Sequence, residues 1–336
     1  MYSELLYYNY FESILYEHYN DSNLENMINS RYDKNIFCNK PKALKDASLI
    51  EIIYHNVFRD IKPYLSIIMP IYNQENIIKK NIQSILDMTE DDTYELIFII
   101  DACSDNSEKY CIEILSLLNN KYPLCVSCLI LKSKTPLFET SSDNLGLYCS
   151  NGKYAIEIQA DMEIVEKKYN KKIIYPFTIQ NDIIGISGRC CHGLNNSNGI
   201  GKLGAEVEKP LSLDIDKEAY YICETCNRGP LALDIEKVRQ LGYFDEQNYF
   251  LDNSDHDLFA RAYDKYKWKC GYVPIEVKVN LENGSTRKQR DPLNQKFYNM
   301  KKEQTNDGKN GFLYNYKINA IERTIQKFKT LPPISL

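Results

Sequence analysis

The chain has 336 residues, enough for one large domain or two modest ones, and its 43% apolar and 26% charged content is that of a soluble globular protein. A net charge of −5 gives no overall nucleic-acid footprint. No apolar run approaches the roughly 20 residues of a membrane-spanning helix.

The first stretch, MYSELLYYNYFESIL, lacks the basic start of a secretory leader and carries glutamates within its apolar run. Eleven cysteines, an odd number and scattered, then point to free thiols in a reducing, cytoplasmic setting. Two C-x-x-C pairs occur, Cys125/Cys128 and Cys223/Cys226. Zinc would need both pairs or added histidines, and the first pair lies in an apolar strand-like run, so both are read as thiols.

Residues 1–62 read as a helical, Tyr-rich extension, with Leu5, Leu6, Ile14 and Leu15 at loosely helical spacing. It serves either as a packing extension of the main domain or as a partner- or membrane-surface helix. The character changes at Tyr64. Leu65–Ile71 is a buried-type strand, and Ile77, Ile78, Ile82, Ile85 and Leu86 then give one helical apolar face. A second strand runs from Glu95 to Ile100 and ends on Asp101. Asp105 or Ser104 caps a helix with Ile112, Leu115 and Leu118 on one side, and a third strand covers Cys125–Leu131. This alternation is a doubly wound α/β pattern.

Next come a small-residue turn at Asn144-Leu145-Gly146, Gly152, and a strand from Tyr154 to Ile158 that ends on Gln159-Ala160-Asp161-Met162-Glu163. Carboxylates at a strand end suit a hard divalent cation, Mn²⁺ or Mg²⁺, which usually holds a substrate phosphate as well. Right-handed crossovers put Asp101 and Asp161 on one sheet edge.

Further on, Gly193–Tyr220 reads as a polar loop, and its glycines are wrongly spaced for a dinucleotide fingerprint. Asp255–Tyr266 reads as a helix that Asp257 helps to cap, with His256 an exposed filler. The lone Trp268 is assigned to core packing, with stacking on an acceptor sugar as the alternative. Arg287, Lys288, Arg290, Lys296, Lys301 and Lys302 form a basic cluster before a helical stretch, Gly311 to Lys329. That cluster is either a solvated face or a group that closes over a diphosphate.

Taken together, the pieces resemble a family 2 glycosyltransferase of the GT-A fold. The resemblance lies in LSIIMPIYN (Leu65–Asn73), IIDACSDNS (Ile99–Ser107), Asn144-Leu145-Gly146 with Gly152-Lys153-Tyr154, and Gln159-Ala160-Asp161 at the family's D-x-D. It continues through NRGPLA (Asn227–Ala232), LGYFDE (Leu241–Glu246) and DHDLFAR (Asp255–Arg261). It implies a mostly parallel, doubly wound sheet with a helical N-terminal extension (1–62), a transferase domain (63–280) and a basic, helical C-terminal tail (281–336). The domain divides into a nucleotide-sugar half, 63–165, and an acceptor half, 166–280.

The same resemblance implies inverting transfer of a sugar, with a UDP-sugar as donor and a glycan, protein or lipid hydroxyl as acceptor. Asp255 would be the general base. Pro70, Tyr72, Asn73, Asp101, Asn144, Gly152, Gln159 and Asp161 would line the donor site, and Asp161 with Glu163 would hold the metal. Arg228, Gly229, Pro230, Asp257 and Arg261 would serve the acceptor side or close the site. Gln159 stands where the family carries an acid, and Ser254 replaces another. A degenerate member that binds nucleotide or glycan without turnover is therefore the alternative. A sugar nucleotidyltransferase ranks below both, because Tyr72-Asn73-Gln74-Glu75 occupies the place of its Gly-rich phosphate loop.

Overall fold

The computed structural model describes residues 50–115, 118–192, 203–204, 215–279, 291–315 and 327–328. The extension over 1–49, most of the polar loop, and the basic residues Arg287, Lys288 and Arg290 lie outside the described residues.

The chain runs β1 (Ile50–Val57), β2 (Leu65–Ile71), α1 (Ile78–Met88), β3 (Tyr94–Asp101), α2 (Ser107–Leu115), α3 (Leu118–Lys121), β4 (Cys125–Ser133) and α4 (Phe138–Cys149). Then come β5 (Tyr154–Glu157), β6 (Met162–Ile164), α5 (Tyr169–Ile179), β7 (Ile183–Ser187), β8 (Cys190–His192), β9 (Leu203–Gly204), β10 (Tyr220–Cys223) and β11 (Thr225–Cys226). The last elements are β12 (Leu231–Asp234), α6 (Ile235–Leu241), α7 (Ser254–Tyr266), β13 (Lys269–Tyr272), β14 (Val277–Val279), α8 (Pro292–Gln304), α9 (Phe312–Asn315) and β15 (Lys327–Phe328).

One 10-stranded sheet has the order β1-β4-β3-β2-β5-β12-β7-β13-β10-β15. Strands β4, β3, β2 and β5 run parallel, and β12 enters antiparallel between β5 and β7. Both faces of the parallel part are covered, so β2 (LSIIMPI) and β3 (YELIFIID) are almost wholly buried, apolar runs. The pleat splits them: Ile67, Met69, Leu96 and Phe98 enter one core, and Ile68, Ile97 and Ile99 enter the other. Parallel strands put their C-terminal ends on one edge, so Ile71 and Asp101 share it, with Glu157 at the end of β5.

Three sequence expectations change. Ile50–Val57, read as part of a helical extension, is a strand that pairs antiparallel with β4 and covers its open edge. Asn144-Leu145-Gly146, read as a turn, lies inside α4, whose residues from Thr140 to Asn144 are polar yet buried. Polar side chains enter a helix core when each finds a partner. Here Thr140 donates to Ser254 Oγ at 2.9 Å, and Gly146 lets the helix press against Ile68. Within the C-terminal stretch, Phe312–Asn315 is helical, but Lys327–Phe328 pairs as a strand with β10.

Helix α8 does not stand apart from the transferase fold. Its cap residue Asp291 accepts from Asn294 N at 2.7 Å and from the Tyr72 hydroxyl at 3.1 Å, and Tyr298 meets the edges of Phe138 and Phe250. Among the described residues no helix is long and apolar enough to cross a membrane.

Candidate active site

The site is built at the C-terminal edge of the parallel strands. Strand β12 begins at Leu231 opposite Glu157 of β5 and Ser187 of β7, which places Arg228, Gly229 and Pro230 at that edge. Gly229 is needed there twice over. Its φ is +77°, and a Cβ would sit 2.6 Å from Met162 Cε and 2.9 Å from Gln159 Oε1.

Arg228 is the hub. Its side chain is 4% exposed, with Nε 2.6 Å from Asp143 Oδ2 and Nη1 3.7 Å from Glu139 Oε2. Nη1 donates to Ser254 Oγ at 2.8 Å, and the guanidinium lies over the Phe244 ring at 4.5 Å. Glu139 accepts in turn from Gln159 Nε2 at 2.6 Å. The chain of contacts therefore runs from the end of β5, through the first turns of α4, to the start of α7.

Asp255 opens α7 and is buried. Its carboxylate accepts from the backbone N–H of His256 at 2.8 Å and of Arg228 at 3.3 Å. Burial alone would raise its pKa, but His256, Arg228 and these two backbone donors outweigh burial and hold it below the usual carboxylate value. His256 is no exposed filler: Nδ1 is 2.6 Å from the Thr225 hydroxyl and Nε2 is 4.0 Å from Asp255 Oδ1.

Two more buried carboxylates face the same place. Burial pushes Asp143 up despite Arg228, and burial together with Asp143 pushes Glu157 far up. Neither oxygen of Glu157 has a hydrogen-bond partner. Glu139, Asp143 and Glu157 escaped the sequence reading. The available signal was Glu139 and Asp143 four residues apart, one helical turn, just before the Asn144 motif.

Several expected donor-site residues are committed elsewhere. Asn144 is 1% exposed, and its amide bonds Phe244 O, Phe244 N and Glu246, so it ties α4 to the segment between α6 and α7. Gly152 donates to Ser66 Oγ at 2.9 Å, and a Cβ there would meet Ser66 N at 2.7 Å. Asp101 accepts from Leu137 N at 2.6 Å and Phe138 N at 2.9 Å, anchoring the start of α4, and burial raises its pKa to about 6. Asp257 is fully buried. It pairs with Arg261 at 2.6 Å and accepts from Leu313 N at 3.0 Å, while Arg261 also donates to Tyr243 O. That pair braces α7 from within.

Pro70, Tyr72 and Asn73 do stand at the end of β2. Asn73 is tied to Ser104, whose backbone N–H it accepts at 2.8 Å, and Asp105 caps α2 through Ser107 N at 3.0 Å as expected. Trp268 stacks on Tyr266 at 4.2 Å, in keeping with packing.

A cleft of about 250 Å³ is lined by Lys80, Asn81, Asp161, Glu163 and Lys278 among others. Glu163 is paired with Lys80 at 2.6 Å. Among the described residues no group of three or more His, Cys, Asp or Glu is set to hold a metal. Mg²⁺ and similar ions seldom have an all-protein cage; one or two carboxylates plus substrate phosphates are the rule. Asp161 and Glu163 both line this cleft, so one or two carboxylates of the kind such an ion uses are present.

Parallel strands that end on acids, with an antiparallel strand beside them and an acidic helix start, form the GT-A type of fold expected from the sequence. Residues 66–182, about a third of the chain, match the family described as Glycosyl transferase family 2. No curated protein matches the chain at a significant level.

Similar solved structures include TarS from S. aureus (15% identity, TM-score 0.44, 63% of this chain and 35% of that one). Another is GalNAc-T7 with UDP, GalNAc and Mn²⁺ (13%, 0.49, 66% and 44%). A third is the mannosyltransferase PcManGT from Pyrobaculum calidifontis with GDP-Man and Mn²⁺ (12%, 0.46, 79% and 65%). The chain spans less than two thirds of the length of each.

Proposed function

We propose that the protein is an inverting glycosyltransferase that moves a sugar from a UDP-sugar to an acceptor hydroxyl, with Asp255 as general base. The observation that carries this reading is the buried, ionised Asp255 at the sheet edge where β2, β3 and β5 end. As the acceptor oxygen bonds the anomeric carbon, the bond to the diphosphate breaks on the opposite face, and Asp255 takes the hydroxyl proton. The backbone N–H groups of His256 and Arg228 fix the carboxylate for that transfer. Arg228 acts as a positioning residue, since it joins α4 of the donor half to the first turn of α7. Asp161 would hold a divalent cation together with the donor's diphosphate oxygens, and such an ion supplies charge neutralisation of the leaving group.

A second reading has its own observation. Gln159 replaces an acid and is bonded to Glu139, and Glu163 is bonded to Lys80. A degenerate protein that binds nucleotide or glycan without turnover would look the same at these positions.

The deciding experiment offers UDP-, GDP- and dTDP-sugars with Mn²⁺, Mg²⁺ or EDTA to the wild type, Asp161→Ala and Asp255→Asn. The proposal expects one UDP-sugar to be consumed with metal. Asp255→Asn should lower turnover by roughly 10²–10⁴-fold while leaving UDP binding intact. UDP binding without consumption of any donor, across acceptor panels, would leave the degenerate reading in place.

A further inference from the structure

Four cysteines from four separate strands meet in the acceptor half. In the ladders, Cys226 of β11 lies opposite Cys191 of β8, and Cys223 of β10 lies opposite Cys270 of β13. The thiols bond crosswise to this register: Cys191 with Cys223, and Cys226 with Cys270. Cys270 Sγ also donates to Cys223 O at 3.5 Å. All four are free; Cys191, Cys226 and Cys270 are buried and Cys223 is half-buried. The sequence showed only the Cys223-x-x-Cys226 spacing, and Cys191 and Cys270 join it through sheet pairing alone.

We propose that Cys223 is an oxidisable thiol that closes a disulfide with Cys191, a covalent switch in the segment that runs through Thr225 to Arg228 and so to Asp255. Three observations carry it. First, the Cys223 and Cys191 thiols are hydrogen-bonded to each other, the side-chain neighbourhood that an S–S bond of about 2.0 Å requires. Second, Cys223 is the most accessible of the four and the only one held in a thiolate-favouring setting. The Cys191 thiol, then the backbone N–H groups of Glu224 and Thr225, lower its pKa against burial, whereas burial raises those of Cys191, Cys226 and Cys270. Third, the strand ladders set Cys191 opposite Cys226 and Cys223 opposite Cys270, so the backbone gathers the four thiols in one patch.

The chemistry balances with a hydroperoxide as oxidant. The Cys223 thiolate attacks the peroxide oxygen, the O–O bond breaks, and the leaving hydroxide takes a proton to become water, giving the sulfenic acid. Cys191 sulfur then attacks the Cys223 sulfur, the S–O bond breaks, and the departing hydroxide takes the Cys191 proton as a second water. Two thiols and hydrogen peroxide become one disulfide and two waters, with two electrons passing from sulfur to peroxide.

The link to the site is short. Thr225, between Cys223 and Cys226, touches His256 at 2.6 Å, and Arg228, two residues past Cys226, donates its N–H to Asp255 at 3.3 Å. Drawing Cys223 onto Cys191 pulls on the segment that sets the Asp255 carboxylate.

The test uses the reduced, full-length protein treated with hydrogen peroxide, then alkylated, digested and mapped by mass. The expected product is a Cys191–Cys223 linkage reversed by dithiothreitol, with Cys191→Ser leaving a sulfenic acid on Cys223 that dimedone traps. Hydrogen–deuterium exchange in 224–230 and 254–266 should change on oxidation and recover on reduction, a readout independent of glycosyl transfer. If the serine variants fail to fold, the wild type still decides: iodoacetamide should label Cys223 before Cys191, Cys226 and Cys270. A disulfide that omits Cys223, equal labelling of all four thiols, or co-purified zinc that protects them until a chelator is added would each overturn the proposal.

Discussion

Replacing Arg228 with methionine should destabilise the fold by about 3–5 kcal/mol, the cost of leaving a buried charge without its partner. The magnitude follows from what remains. Methionine fills much of the same space but removes the guanidinium, including its stacking over the Phe244 ring. Asp143 loses a counter-ion at 2.6 Å, Ser254 Oγ loses a donor at 2.8 Å, and Glu139 loses a cation at 3.7 Å. The sign of the pH dependence is fixed. Without the guanidinium, the folded-state pKa of Asp143, already raised by burial, rises further above its unfolded value. Stability from such a group is present at low pH and lost as pH rises, so the deficit should shrink below about pH 5 and widen toward about pH 8. Urea unfolding across that range measures it, with Asp143→Leu and the double variant closing a cycle whose coupling should reach about 1–3 kcal/mol. A loss under about 1 kcal/mol at every pH, or no coupling to Asp143, would refute the role given to Arg228.

Asp257→Ala should cost about 3 kcal/mol while leaving UDP affinity within twofold, because Asp257 braces Arg261 and Leu313 N instead of a ligand; calorimetry with denaturant unfolding separates the two. Gly229→Ala should cost about 1–3 kcal/mol and disturb the Gln159 end of the site, seen as a lowered urea midpoint and slower transfer. Asp101→Asn tests a second linkage. The wild-type pKa is raised from 3.8 to about 6, so its stabilising contribution is present below the unfolded value and lost as pH rises through about 6. The variant should lack that slope between those two values in pH-dependent unfolding.

The sequence carried the donor half well. Unbroken apolar runs such as Leu65–Ile71 and Tyr94–Asp101 have few alternatives to parallel, doubly covered strands, and the acids after them had to share an edge. What it hid was of two kinds. Helix α4 lacks an apolar stripe because its buried face is satisfied by distant groups: Ser254 for Thr140, Phe244 and Glu246 for Asn144, Arg228 for Asp143. No local pattern encodes those partners, roughly a hundred residues away. Motif residues also proved to be scaffold. Asn144, Gly152, Asp257 and Arg261 sit at recognisable positions, yet their polar groups are spent inside the protein.

The division of charge at the site explains why one acid of several is suited to proton transfer. Arg228 faces Glu139, Asp143, Glu157 and Asp255, more negative groups than one guanidinium can neutralise. Environment resolves the excess by pushing the groups apart. Burial raises the pKa of Asp143 and Glu157 even with Arg228 beside them. Asp255, with two backbone donors and His256 beside it, is lowered and keeps its charge. Pairs of carboxylates split in this way mark acid–base assignments. The proposed base is held ionised because His256, Arg228 and two backbone N–H groups outweigh its burial, whereas Arg228 lowers Asp143 and Glu157 without offsetting theirs.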